Sequence, residues 1–164
     1  MQLPREIESD PRFEAIRARL TAGDRRVPAG AQTMVPVLSL DPPLAAALGT
    51  AFRIDRLVLG LEPAAEALAS EERGLAHLAR RAGTERATRV SRLLLLSQDG
   101  AARLNQEAER LAAMHAPRVL LVLLACDATA LGLATTGRPA GVKVVLARHK
   151  ETVAALLRAL APPE

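Results

Sequence analysis

The sequence predicts an α/β fold, a three-layer α/β/α arrangement around a mainly parallel or mixed sheet of about four strands, with an N-terminal helix as an extra element. Three observations carry this. From residue 53 onward, four apolar runs (Ile54 to Leu61, Val90 to Leu96, Val119 to Ala125, Val142 to Ala147) alternate with stretches of helical periodicity, the order that produces strands joined by crossover helices. The runs are nearly continuous in apolar residues, as strands covered on both faces must be. Apolar residues make up 49% of the 164 positions, yet Phe13 and Phe52 are the only aromatics, so the core has to be packed from small and branched aliphatic side chains.

Along the chain, Ser9-Asp10-Pro11 reads as a helix start, with Asp10 able to cap exposed amides and Pro11 in the first turn. Phe13, Ile16 and Leu20 then share one face, and Gly23 ends the helix. Met34 to Leu40 is interrupted by Pro36, which limits it to an edge strand. After the first apolar run, an Ala-rich helix is expected from Pro63 to Arg81, with Leu68, Leu75 and Leu78 at helical spacing and Gly74 as a possible bend. Leu93-Leu94-Leu95-Leu96 marks the second run as the central strand. The helix opened by Asp99 places Leu104, Ala108, Leu111 and Ala112 on one face, and Pro117 closes it. A short helix over Ala130 to Ala134 and a Gly-rich loop from Thr135 to Gly141 precede the fourth run. A last helix from Lys150 buries Val153, Leu156, Leu157 and Leu160.

No repeat, charge block or long linker divides the sequence. It reads as a single α/β domain over 1–164, with a helix and loop over 1–45 and the α/β core over 53–160. Cys126 is the only cysteine, which excludes an intramolecular disulfide and fits a reducing compartment. Glu6, Glu8, Asp10 and Glu14 interrupt the apolar positions of the first twenty residues, so no secretory leader is expected there, and no run reaches the length of a membrane helix. The expected location is the cytoplasm.

Three constellations could carry chemistry. If the strands run parallel, their C-terminal ends share one edge, where ligands of open α/β sheets bind. That edge would collect Ser97, Gln98 and Asp99, then Cys126, Asp127 and Thr129, then Arg148, His149 and Lys150, a set suited to a nucleophile with a general base or to an anion. Asp99 and Asp127 equally suit helix caps, and Cys126 a packed thiol. Metal binding is not expected, since His77, His115 and His149 lie far apart in sequence. With neither a dinucleotide fingerprint nor a P-loop, no cofactor is expected either. The third constellation is basic. The net charge is +4, carried almost wholly by arginine, and Arg80, Arg81, Arg86, Arg89 and Arg92 fall within thirteen positions, with Arg138 in the Gly-rich loop. These could neutralise phosphates. The lack of Trp and Tyr removes the usual stacking platforms for single-stranded bases, so RNA contact would be directed at the backbone.

Leu57-Val58-Leu59-Gly60-Leu61-Glu62 with its following helix, Leu93 to Asp99, and Asp127-Ala128-Thr129-Ala130-Leu131-Gly132 leading through Gly137-Arg138 to Val142 resemble the kink-turn-binding ribosomal protein family. They also resemble the related C-terminal domain of archaeal and eukaryotic peptide-chain release factors. The resemblance covers Leu57 to Leu160 and implies a three-layer fold with an RNA or ribonucleoprotein partner. Glu62 and Ala65 stand where kink-turn binders carry Asn and Lys. This places Gly60-Leu61-Glu62 nearer the release-factor type, whose domain contacts proteins.

The leading expectation is a small non-enzymatic module that binds RNA or a ribonucleoprotein, translation-related partner through Arg80, Arg81, Arg86, Arg89 and Arg138. The alternatives are an enzyme or ligand-binding domain using the rim of Ser97, Asp99, Cys126, Asp127, Arg148 and His149, and a protein-interaction or assembly subunit.

Overall fold

Leu93 and Leu95 pack with one apolar cluster and Leu94 and Leu96 with another, so the period-two alternation of a single strand separates the two layers of the core. The computed structural model describes residues 1–26, 34–83 and 88–162. Its elements are α1 (Arg5–Glu8), α2 (Phe13–Thr21), β1 (Asp24–Arg26), β2 (Met34–Leu38), α3 (Pro42–Arg53), β3 (Leu57–Leu59), α4 (Leu61–Ala82), β4 (Arg92–Ser97), α5 (Ala102–Met114), β5 (Val119–Leu124), α6 (Ala128–Thr136), β6 (Val144–Ala147) and α7 (Lys150–Arg158). The fold is α/β, with a mixed sheet between two helical layers.

The strand order is β1-β2-β5-β4-β6-β3. β2, β5 and β4 run parallel, whereas β6 is antiparallel to both β4 and β3. One face is covered by α1, α2, α3, α6 and α7, through residues such as Ile7, Ile16, Leu48, Leu131 and Leu156. The other face is covered by α4 and α5 through Ala64, Leu68, Ala108 and Leu111. Leu93 to Leu96 are all buried, in keeping with a central β4.

The reversal of β6 has a local cause. A carbonyl of the loop after α6, that of Ala140, lies where a side chain on Gly132 would begin, 1.7 Å from an ideal Cβ. Gly132 therefore lets the loop fold back along its own helix, and Val142 donates to the Ala128 carbonyl at 3.1 Å. The chain thus returns to the edge where α6 began and enters the sheet against the direction of β4.

Other elements differ in detail from the expectation. β3 spans three residues rather than Ile54 to Leu61, because Ile54 is already the C-cap of α3. That helix starts at Asp41-Pro42-Pro43, where the Asp41 carboxylate accepts from the Leu44 amide at 3.1 Å, the same cap-and-proline signal read at Asp10. At Asp10 the carboxylate takes the Arg12 amide instead, at 2.9 Å, between α1 and α2. β2 is not an edge strand, since β1 pairs on its outer side. Its ladder to β5 engages only Val37 and Leu38, just beyond Pro36 and its missing N–H. α4 passes through Gly74 unbroken.

Leu94 is fully buried and Leu95 2% exposed, on opposite faces of β4. Changing either to Ala should lower the unfolding free energy by about 2–5 kcal/mol in urea titrations. A loss below about 0.5 kcal/mol for both would contradict the central placement of this strand.

Candidate functional site

Because β6 is reversed, the rim expected from three parallel strands divides between the two edges of the sheet. Ser97, Asp99, Cys126 and Asp127 do come together at the C-terminal ends of β4 and β5, where Gln98 donates to the Cys126 carbonyl at 2.9 Å. Arg148, His149 and Lys150 follow β6 and therefore stand at the opposite edge.

At the first edge the two acids cap the same helix. Asp127 accepts from the Ala130 amide at 2.7 Å and Asp99 from the Ala128 amide at 3.1 Å. The Ser97 hydroxyl, then the Ala128 amide, hold the Asp99 carboxyl below the ordinary aspartate value. Both carboxylates are thus occupied as acceptors of backbone amides. Burial, then the charges of Asp127 and Asp99, push the Cys126 thiol up to about 11, the reverse of what a nucleophilic thiolate needs. Ser97 is buried, and among the described residues no histidine stands with this group to act as a base.

The second edge holds an ionic cluster centred on Glu71 of α4. Its carboxylate accepts from Arg92 Nε at 2.9 Å and Arg118 Nη1 at 2.8 Å, and Arg148 Nε stands 3.5 Å away. Arg92 opens β4, Arg118 precedes β5 and Arg148 follows β6, so one side chain ties the ends of three adjacent strands to α4. Burial pushes the Glu71 carboxyl up. The hydrogen bonds from Arg92 and Arg118 outweigh it, and the group lies below the ordinary glutamate value. Glu72 faces Arg118 Nη2 at 3.6 Å and His115 Nδ1 at 3.7 Å. His149 adopts φ 65°, a backbone region costly for a side chain with a Cβ. Burial, then Arg56, Arg148 and Arg92, push its pKa down. Beside the cluster lies a cavity of about 590 Å³ between α4, the α5–β5 connection and the start of α7.

The basic set is also redistributed. Arg80 and Arg81 are exposed at the end of α4. Arg86 lies outside the described residues. Arg89 is engaged by Glu8 at 2.6 Å and by the Leu3 carbonyl at 2.8 Å, where it fastens the N-terminus to the sheet. Arg92 belongs to the Glu71 cluster. Arg138 follows α6, in the layer across the sheet from α4. Arg73 and His77, both exposed and neither in the basic set read from the sequence, precede Arg80 and Arg81 at i, i+4, i+7 and i+8, so the four share one face of α4. Arg73, Arg80 and Arg81 make no ion pair among the described residues, and α4 carries no acidic residue after Glu72. The opposite face, Leu75, Leu78 and Ala79, lines the cavity.

Glu71 was also missed, although a signal existed. It falls in register with Leu68, Leu75 and Leu78, and a carboxylate on an apolar stripe implies buried cations opposite. Among the described residues no group of three or more His, Cys, Asp or Glu is placed to hold a metal ion, and no helix is long and apolar enough to cross a membrane.

Fold and site together define a three-layer α/β/α domain with a mixed sheet, a capped edge and an ionic edge. No family model and no curated protein matches the chain. Among solved structures it resembles a protein of unknown function from Bacillus halodurans C, at 20% identity and a TM-score of 0.49 over 73% of this chain and 97% of that one. It also resembles the Giardia lamblia 15.5kD RNA binding protein, at 14% identity and a TM-score of 0.44 over 72% of this chain and 82% of that one. The likeness is one of fold, and what the Giardia protein binds is a property of that protein.

Two outcomes are expected. Glu71 has a depressed folded-state pKa, so its contribution to stability is complete above the ordinary glutamate value of about 4.3 and is lost as pH falls through its lower folded value. Glu71→Gln should therefore lower stability at neutral pH and flatten the acid limb of the stability–pH profile, measured by urea denaturation from about pH 7 to pH 3. An unchanged acid limb would assign that loss to other carboxylates. Iodoacetamide should alkylate Cys126 in the folded chain at pH 8 about two orders of magnitude more slowly than a free thiol, with mass spectrometry following the adduct.

Proposed function

We propose that this chain is a non-enzymatic RNA-binding module that meets the RNA backbone with the outer face of α4. The observation that carries the reading is the row Arg73, His77, Arg80 and Arg81. These residues are exposed, cover about 12 Å of helix at 1.5 Å per residue, and the three arginines lack intramolecular carboxylate partners among the described residues. Arginines at a helix C-terminus also complement the helix dipole. That accounts for Arg80 and Arg81 but not for Arg73, two turns earlier. Unneutralised guanidinium groups on a projecting helix present donors that match phosphate oxygens in geometry and charge. With no Trp or Tyr in the chain, affinity would come from phosphate contacts and RNA shape rather than from stacked bases. An RNA already bound in a ribonucleoprotein offers the same backbone.

Catalysis at the first edge has less support. Its two carboxylates are spent on caps, and its thiol is held protonated.

If the three arginines each neutralise a phosphate, the slope of log affinity against log salt should be about −2 to −3. Fluorescence anisotropy of a labelled, structured RNA between about 50 and 200 mM salt measures it. Replacing Arg73, Arg80 and Arg81 together by Ala should flatten the slope and weaken all sequences alike, whereas Arg138→Ala should leave it unchanged. A slope equal in the triple variant and the parent would remove the reading.

A further inference from the structure

The cavity beside the Glu71 cluster lies on the side of α4 turned away from the arginine row. Its walls differ in kind. On one side Leu75 and Leu78 of α4 and Met114 of α5 are 41%, 62% and 69% exposed, three large apolar side chains gathered at a mouth that water alone would otherwise cover. On the other side are His115 and Arg118, only 6% and 8% exposed, with Glu72, Lys150 and Glu151 beside them.

Glu72 and Glu151 also line the cavity, yet neither gives the buried nitrogens of this edge a hydrogen bond. His115 Nδ1, Arg118 Nη2 and Arg148 Nε are buried without a hydrogen-bond partner among the described residues, three nitrogens from three residues at one edge. The carboxylates nearest to them stand at 3.7, 3.6 and 3.5 Å, close enough for attraction and too far or too misaligned for a good hydrogen bond. Such groups in a native structure call for a partner. The sign of the missing partner follows from the charges. Arg92, Arg118, Arg148 and Lys150 outnumber Glu71, Glu72 and Glu151 by one, and two histidines stand beside them. A single added negative charge would balance the group, whereas a cation would deepen the surplus. The volume of about 590 Å³ falls within the range of small-molecule sites, which characteristically combine apolar walls with a few fixed polar groups.

We propose that this cavity binds a small amphipathic monocarboxylate, its head group received by Arg118 and His115 and its alkyl or aryl body held between Leu75, Leu78 and Met114. A ligand carboxylate adds the single negative charge that Glu72 and Glu151 leave unbalanced, and guanidinium–carboxylate pairing is strong and directional. The apolar body covers the exposed leucines and methionine, gaining the free energy of removing that surface from water. The site is independent of RNA binding, because the two faces of α4 carry different residues.

The test is a titration of the full chain with octanoate, read from the methyl resonances of Leu75, Leu78 and Met114, with octylamine and octanol as controls. Octanoate should shift these methyls saturably, octylamine should not, and octanol should bind at least about tenfold more weakly. Leu78→Glu and Lys150→Glu, both at exposed positions that leave the core intact, should each weaken octanoate about tenfold while the remaining methyl spectrum is preserved. The proposal is overturned by octylamine or octanol binding as tightly as octanoate, by undiminished affinity in both variants, or by the absence of a saturable shift up to about 10 mM.

Discussion

The close approach of the Ala140 carbonyl to Gly132, with no room for a Cβ between them, decides what this molecule can present to its surroundings. It turns the chain back along α6 and sends β6 through the sheet in reverse. Reversal exchanges the two ends of that strand. Arg148 and His149 are carried away from Cys126 and Asp127, and Lys143 takes their place at the capped edge. What the chain order alone suggests as one polar rim is in fact two unlike edges. One is satisfied locally by helix caps. The other gathers charge.

The charged edge works because three strand ends meet one carboxylate. Glu71 alone would be an expensive group to hold 16% exposed, and so would each of the arginines around it. Together they neutralise one another and join α4 to β4, β5 and β6, which are neighbours in the sheet. With Glu72 beside it, facing Arg118 and His115, this contact ends the buried attachment of α4. Its buried residues, Ala64 and Leu68, lie in its first half. Beyond Glu72 the helix carries cations on one face and leucines on the other, and none of its residues from Arg73 to Ala82 is buried among the described residues. An element so placed is available for binding on either face, for different reasons.

Much of the fold was legible because the strands are written as apolar runs. Leu93 to Leu96 and Val119 to Leu124 have no other stable place than between two helical layers, and Ile16, Leu20, Val153 and Leu156 disclose their helices by spacing. The direction of β6 was not legible, since it rests on a contact between residues eight apart whose significance is steric. The start of α3 is announced by Asp41-Pro42-Pro43, but its Ala-rich span carries only Leu44, Leu48 and Phe52 as large apolar residues, too few to display a helical period plainly. At the sites, residue type misled where pairing decides. Arg89 and Arg92 look like their neighbours Arg80 and Arg81 in a sequence, yet Glu8 and Glu71 occupy the first two. Only tertiary contact separates a structural arginine from an available one. Glu71 was the readable exception, an acid on an apolar stripe.

The uneven anchoring of α4 gives its backbone an uneven fate. A helix of 22 residues, about 33 Å long, is fixed to the sheet along its first half and continues past it by its own hydrogen bonds, ending in a left-handed Gly83. Its amides should exchange with solvent along a gradient. Protection near Leu68 would approach that of global unfolding, and the turns around His77 to Arg81 would open by fraying, at a fraction of that free energy. The far end of the helix is then a region whose order a ligand could raise. Contact on either face would propagate as slower exchange towards Glu71, without any change of fold.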